Sequence, residues 1–143
     1  RKYKFYLTIN DTDYLRNFSD SQNIINLGPQ DIEDCPELYL KTDALFLPTL
    51  LETYSANYPE AMIMKKPIIT SDLDFAKDVC KDAALYFNPL DPQDIADKII
   101  QLSENKDLYN NLIKKGEQRV KELETSESRA LKYIDVFQSV LKT

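Results

Sequence analysis

The sequence predicts an α/β fold: an open sheet of parallel strands with helices on both faces. Two observations carry that prediction. Short β-rich runs alternate with helical patterns along the whole chain. The inner runs are apolar throughout rather than alternating, which is what a parallel sheet covered on both faces requires. Such alternation, closed by right-handed crossovers, is the arrangement described as Rossmann-like.

Taken in order, Lys4–Ile9 reads as a strand and Ile24–Leu27 as a second, ending at Gly28-Pro29. Asp31–Lys41 follows as a helix. Ala44–Leu47 is a compact apolar run closed by Pro48, and Tyr58–Lys65 is a helix with Pro59 at its first helical position. Pro67–Thr70 is the next strand, Asp74–Lys81 a short helix, and Ala84–Phe87 a last strand closed by Asn88-Pro89. Asp91-Pro92 is a cap followed by proline, opening a helix with Ile95, Ile99 and Leu102 on one face. Two helices end the chain, the first marked by Leu108 and Leu112. Ala130, Ile134, Phe137 and Leu141 mark the second at helical spacing. The charge-rich segment Lys114–Glu127 reads as a solvated helix face followed by a cap at Thr125 or Ser126.

Composition narrows the functional classes. The 143 residues suffice for one domain with a real core, and 43% apolar with 29% charged residues is ordinary for a globular chain. Two glycines and seven prolines leave no room for low-complexity linkers. A net charge of −6 argues against nucleic acid as a partner, although a local site for a small anion is compatible with it. No apolar run approaches the roughly 20 residues that span a bilayer, and Arg1-Lys2-Tyr3-Lys4 is followed by no signal-peptide core. Cys35 and Cys80 read as buried free thiols in a reducing cytoplasm. Histidine is absent altogether, so histidine-based triads and zinc sites cannot be assembled within this chain. Chemistry, if any, falls to carboxylates, hydroxyls and backbone dipoles.

Ligands of open parallel sheets bind beyond the carboxyl ends of the strands, which directs attention to the segment after Ala44–Leu47. Glu52 falls in the loop leaving that strand, and Glu60 in the first turn of the next helix. Backbone amides at that helix start, with its dipole, offer a place for a diphosphate or another anion. Taken alone, two such glutamates read more simply as a dipole-favouring residue and a solvated loop residue. Met62 and Met64 read as packing residues.

Context sharpens this. Asp43-Ala44-Leu45-Phe46-Leu47-Pro48, Glu52, Pro59-Glu60-Ala61-Met62 and Lys66-Pro67-Ile68-Ile69-Thr70-Ser71-Asp72 stand in order along the chain. Asp82-Ala83-Ala84-Leu85-Tyr86-Phe87-Asn88-Pro89 and Asp91-Pro92 follow them. Together they resemble the signature of glycosyltransferase family 4, the group 1 glycosyl transferases of GT-B fold. Upstream, Ile24-Ile25-Asn26-Leu27-Gly28 is similar to the strand before that family's short helix, and Tyr39 to the tyrosine before its next strand. The likeness runs from about residue 24 to the C-terminus and is looser over residues 1–23.

The resemblance implies the C-terminal, nucleotide-sugar-binding half of a retaining transferase, with a nucleoside diphosphate sugar as donor, an acceptor hydroxyl, and no cofactor or required metal. By that likeness Glu60 accepts hydrogen bonds from ribose hydroxyls, a diol matching the two oxygens of a carboxylate. Glu52 faces the donor sugar as the catalytic carboxylate, orienting the ring and stabilising positive charge at the anomeric carbon. Thr53, Tyr54 and Ser55 line the donor through the loop, and Gly28 and Pro29 lie along the base. Residues 1–143 are then one donor-binding fragment: 1–23 weakly matched, 24–104 an α/β core with the donor site, and 105–143 the C-terminal helices. The resemblance further implies a cytoplasmic parent engaged in polysaccharide biosynthesis, with room for peripheral membrane association.

The departures bear on function. The family usually carries Gly-Phe-Gly after the first glutamate, where this chain has Thr53-Tyr54-Ser55. A small-residue-and-glycine stretch after the second glutamate is replaced by Ile63-Met64-Lys65-Lys66, and glycines after the next strand by Ser71-Asp72-Leu73-Asp74. Lys65 and Lys66 read as solvated charges favouring a helix dipole rather than as phosphate ligands. By the likeness, the acceptor-binding N-terminal domain is not in this chain. Lys4–Ile9 corresponds to the second strand of the donor domain, so the first strand and its phosphate-gripping cations precede the sequence. The fragment alone is then expected to be inactive. Two other readings remain: a non-catalytic GT-B-like domain, and a flavodoxin-like regulatory domain whose acidic cluster would be Asn10-Asp11 and Asp13.

Overall fold

The computed structural model describes residues 3–18 and 20–141, so Arg1 and Lys2 lie outside the described residues. The chain divides into two compact units, Arg1–Lys41 and Thr42–Thr143.

The first unit contains β1 (Phe5–Leu7), α1 (Asp11–Asn17), β2 (Ile24–Asn26) and α2 (Cys35–Lys41). β1 and β2 pair in parallel, with Tyr6 opposite Ile25. Helix α1 is absent from the sequence expectation, because Asp11–Asn17 has too few apolar residues to display a helical period. A cap starts it instead: Asn10 Oδ1 accepts the Asp13 N–H at 2.9 Å, and Asp11 and Asp13 favour the positive end of its dipole. The acidic cluster is therefore used in building a helix start. Tyr14 on that helix donates to the Ile24 carbonyl at 2.9 Å, joining α1 to β2. Asn26 closes the strand ends, its amide accepting from Ile9 N–H at 3.3 Å and donating to Ile9 O at 2.9 Å. Helix α2 begins at Cys35, four residues later than expected. Asp31–Asp34 is taken up by a turn in which Asp34 N–H reaches Asp31 O at 3.0 Å. Cys35 is only half-buried.

The second unit contains β3 (Leu45–Leu47), α3 (Asn57–Ile63), β4 (Ile68–Ser71), α4 (Asp74–Cys80), β5 (Ala84–Phe87), α5 (Pro92–Glu104), α6 (Lys106–Glu122) and α7 (Ser126–Leu141). Its strands form a parallel sheet in the order β3-β4-β5. The register puts Phe46, Ile69, Leu85 and Phe87 on one face. There Ile69 and Phe87 join Leu102 of α5 and Leu112 of α6 in a buried cluster, flanked by Ile95, Ile99 and Leu108. Thr70 points to the opposite face, where α3 lies, and Ala76, Val79 and Cys80 of α4 are buried as well. Helices on both faces explain why β4 is buried at every position and apolar up to Thr70.

Helix α6 ties the unit together at the strands' amino ends. Met62 of α3 meets Gly116 so closely that a Cβ there would stand 3.3 Å from Met62 Cγ, and the absent side chain lets the helices approach. The segment expected to be a solvated face is instead a row of cross-links. Lys115 pairs with Asp82 at 3.0 Å, Glu117 with Lys65 at 2.8 Å, and Glu122 with Lys81 at 3.3 Å. Arg119 is the most buried of these charged residues. Its Nε donates to Val79 O at 2.7 Å and its Nη2 to Asp78 O at 3.0 Å, while Nη1 holds Glu122 at 2.8 Å. Two of the carbonyls left unpaired at the end of α4 are thereby satisfied by one planar fork. Arg119→Met should cost about 2–3 kcal/mol in urea unfolding, since both carbonyls lose a charged donor. A loss below about 0.5 kcal/mol would mean that water replaces it freely.

Two further differences concern the helix ends. Helix α3 starts at Asn57, placing Pro59 third rather than first. It ends in a Schellman motif: Lys66 N–H reaches Ala61 O at 2.8 Å, Lys65 N–H reaches Met62 O at 3.1 Å, and Lys65 takes a φ of 55°. Thr125 caps α7, its hydroxyl oxygen accepting from Ser128 N–H at 3.1 Å. The apolar stripe of α7 is exposed, Ile134 by 48% and Phe137 by 66%.

Candidate functional site

Because all three strands of the second unit run in parallel, their carboxyl ends open on one side. The connections leaving that side are 48–56 after β3, 72–73 after β4 and 88–91 after β5. A cleft of about 370 Å³ lies there, lined by Leu50, Asp72, Leu73, Asn88, Pro89 and Leu90. Neither Glu52 nor Glu60 lines it. Both carboxylates leave the same strand end, Glu52 in the connection after β3 and Glu60 in the first turn of α3.

Hydrogen bonds fix where α3 stands. Tyr58 is fully buried, and its hydroxyl lies 2.8 Å from Thr70 Oγ1, which donates to Leu47 O at 3.0 Å. The single hydroxyl hydrogen of Thr70 is thus used on Leu47, so Tyr58 is the donor to Thr70. The relay runs from α3 through β4 to the last residue of β3 and secures the helix that carries Glu60. Burial pushes the Tyr58 phenol above its ordinary range. The Thr70 bond offsets part of that rise, and the charges of Cys80 and Glu52 add smaller increments. Glu52 therefore lies within electrostatic reach of this relay.

Glu52 folds back on its own loop, its Oε1 accepting from Thr53 N–H at 3.1 Å. Thr53 and Tyr54 are exposed, while Ser55 is buried and its carbonyl accepts Tyr58 N–H at 3.4 Å. Among the described residues, left-handed φ values occur only at Gly28, Lys65 and Lys81. The loop after Glu52 therefore adopts no backbone conformation that requires glycine, and Thr53-Tyr54-Ser55 fits without strain.

The start of α3 is less open to an anion than the sequence suggests. Pro59 has no N–H, Tyr58 N–H is turned to Ser55 O, and Glu60 N–H reaches Ala56 O at 3.1 Å. Gly28 and Pro29 belong to the other unit, in the turn after β2. Gly28 has a φ of 72° and Gln30 Nε2 donates to Leu27 O at 2.7 Å, so glycine is needed there for the backbone.

Asp72 pairs with Lys77 at 2.5 Å and Asp91 accepts from Gln93 N–H at 2.9 Å, so both aspartates in these connections have structural partners. Among the described residues no three Asp, Glu or Cys side chains converge to hold a metal ion, and no helix is long and apolar enough to cross a membrane. One residue of the site has no sequence signal at all. The Arg129 guanidinium of α7 lies over the ring of Tyr54, 5.6 Å from its centroid. Nothing in the spacing of two residues so far apart announces that contact.

The chain superposes on a glycosyltransferase from Rickettsia africae with a TM-score of 0.82 at 16% identity, covering 100% of this chain and 41% of that one. For a sucrose-phosphate synthase from Thermosynechococcus elongatus the TM-score is 0.77 at 20% identity, over 92% of this chain and 33% of that one. An α,α-trehalose 6-phosphate synthase from Burkholderia multivorans gives 0.69 at 15% identity, over 96% and 36%. These similarities establish a shared Rossmann-like, GT-B-type fold, and this chain spans less than half the length of each. No curated protein sequence matches it. The family model of the group 1 glycosyl transferases matches residues 13–119, most of the sequence and the whole of the β3–α3 region. The chain belongs to the family of glycosyl transferases group 1.

Proposed function

We propose that this chain is the donor-binding portion of a retaining glycosyltransferase that moves a sugar from a nucleoside diphosphate sugar to an acceptor hydroxyl. The observation that carries the reading is the placement of Glu52 and Glu60 on either side of one loop at the carboxyl end of β3. Family membership supplies the reaction class. In this reading Glu60, standing on a helix anchored by Tyr58 and Thr70, receives the ribose diol with its two carboxylate oxygens. Glu52 orients the donor sugar and stabilises the positive charge that grows at the anomeric carbon. Thr53, Tyr54 and Ser55 line the donor.

No metal takes part, and the diphosphate charge is met by cations of the longer protein. The acceptor is held by a separate domain, and the parent works in the cytoplasm in polysaccharide assembly, with peripheral membrane contact. Residues 1–143 alone bind donor weakly and turn nothing over.

Thermal melting with uridine, guanosine and adenosine diphosphates tests the reading. A nucleotide at a hundred times its Kd adds about 2.7 kcal/mol, on the order of 5–10 °C for a chain of this size. Glu60→Ala should weaken the responding nucleotide about ten- to a hundredfold, the worth of hydrogen bonds to a charged acceptor. Unchanged affinity in that variant would remove Glu60 from the site. Silence of every nucleotide, also on a chain extended at its N-terminus, would favour a non-catalytic family member whose Thr53-Tyr54-Ser55 loop has abandoned donor binding.

A further inference from the structure

We propose that Arg129 is a positioning residue, clamping the loop that carries Glu52 by stacking its guanidinium on Tyr54. The clamp itself stands on geometry alone; its consequence for donor binding rests on the reading above.

The loop is otherwise weakly held. Leu50 is exposed by 60%, Leu51 by 87% and Tyr54 by 47%. The side-chain hydrogen bonds of Thr49 and Glu52 both end inside the loop, on Leu51 O and Thr53 N–H. Segments with so few buried contacts open at low free energy. Thr53 and Ser55 stand where the family usually has glycines, and between them the Tyr54 ring gives the loop a handle. A guanidinium 5.6 Å from the ring centroid lies within the range of an attractive cation–π contact, which Arg makes better than Lys because its plane also stacks. Arg129 is itself set by its helix. It stands in the first turn of α7, where its N–H reaches Thr125 O at 3.0 Å and Thr125 caps the helix. Glu124, bonded to Lys132, lies near enough for its charge to interact with that of Arg129.

The clamp therefore links α7 to the strip between Glu52 and Glu60. By restricting Tyr54 it restricts the adjacent Thr53 amide, on which the Glu52 carboxylate rests. A donor that meets a pre-set loop avoids the cost of ordering it.

Hydrogen–deuterium exchange of the peptide covering residues 48–57, on the full chain, tests the clamp without any ligand. Arg129→Ala and Tyr54→Leu should each speed exchange there about two- to fivefold, and the double variant no further. Tyr54→Phe should behave as wild type because it keeps the ring, and Arg129→Lys should fall between. Melting temperature should stay put, as both side chains are exposed. With the nucleoside diphosphate that binds, Arg129→Ala should weaken affinity by the same two- to fivefold. Exchange unmoved by Arg129→Ala overturns the clamp. Affinity that falls equally in the Tyr54→Leu background also overturns it, because Arg129 would then touch the nucleotide directly. If no nucleoside diphosphate binds the wild-type chain, the donor reading fails, and loop exchange alone decides the clamp.

Discussion

Phe87→Ala is expected to cost about 3–5 kcal/mol, the range for emptying a buried aromatic site. For a chain of this length that corresponds to a melting point lower by on the order of 10–15 °C. Phe87 ends β5 with 1% of its surface exposed, and its ring centroid lies 5.6 Å from that of Phe46 on β3. Ile69 lies between them in the sheet, and Leu102 and Leu112 cover the group from two helices. The site cannot easily collapse, because sheet backbone forms its floor and two helices its roof, so most of the vacated volume persists as a cavity. Phe87→Leu, which keeps most of the volume, should lose clearly less. Urea unfolding at unchanged m-value is the measurement. A loss under about 1 kcal/mol for the alanine variant would mean that the cluster repacks, and that this face is not the core of the unit.

Alkaline pH is expected to produce the second large effect. Burial pushes the Cys80 thiol from 9.0 up to about 12, with the Arg119 charge opposing the rise. The folded chain therefore keeps its thiol proton over a range in which the unfolded chain releases it. Stability from this group is fully present below pH 9 and is lost as pH climbs towards 12. The loss reaches about 4 kcal/mol, at roughly 1.4 kcal/mol per pH unit. Burial also raises the phenols of Tyr58 and Tyr86, so they add to the decline above pH 10 with the same sign. Cys80→Ala provides the check. It should be slightly less stable than wild type at neutral pH, lose stability more gently above pH 9, and cross the wild-type curve before pH 12. Parallel curves would show that the thiol ionises without unfolding.

How far these features were legible in the sequence depends on the range of the interactions behind them. The strands were legible because Ala44–Leu47, Pro67–Ile69 and Ala84–Phe87 are runs of apolar and aromatic residues. Helix α5 was legible because Asp91 and Pro92 are adjacent to the turn they start. Helix α1 was not, since its stability comes from the Asn10 cap and the Tyr14 bond to Ile24 rather than from an apolar period. Of the candidate site, the order of Glu52 and Glu60 after β3 followed from the alternation of elements and from family likeness. The partners of that region did not. The relay from Tyr58 to Leu47 joins residues on α3, β4 and β3, and Arg129 reaches Tyr54 from the far end of the chain.

By itself, then, the sequence determined the class of fold, the order of its elements apart from α1, and the group 1 glycosyl transferase signature. All of these rest on local period, local caps and motif order. Only the tertiary structure decided that Arg119 would close the end of α4 and that a charged helix face would become a row of cross-links. It also decided that the tyrosine of the loop after Glu52 would be held by a cation from α7. The physical reason is the same in each case. A cap or an apolar stripe acts between residues a few positions apart and leaves a spacing to read. A guanidinium meets its carbonyls or its ring only after the chain has packed, and no spacing records where that will be.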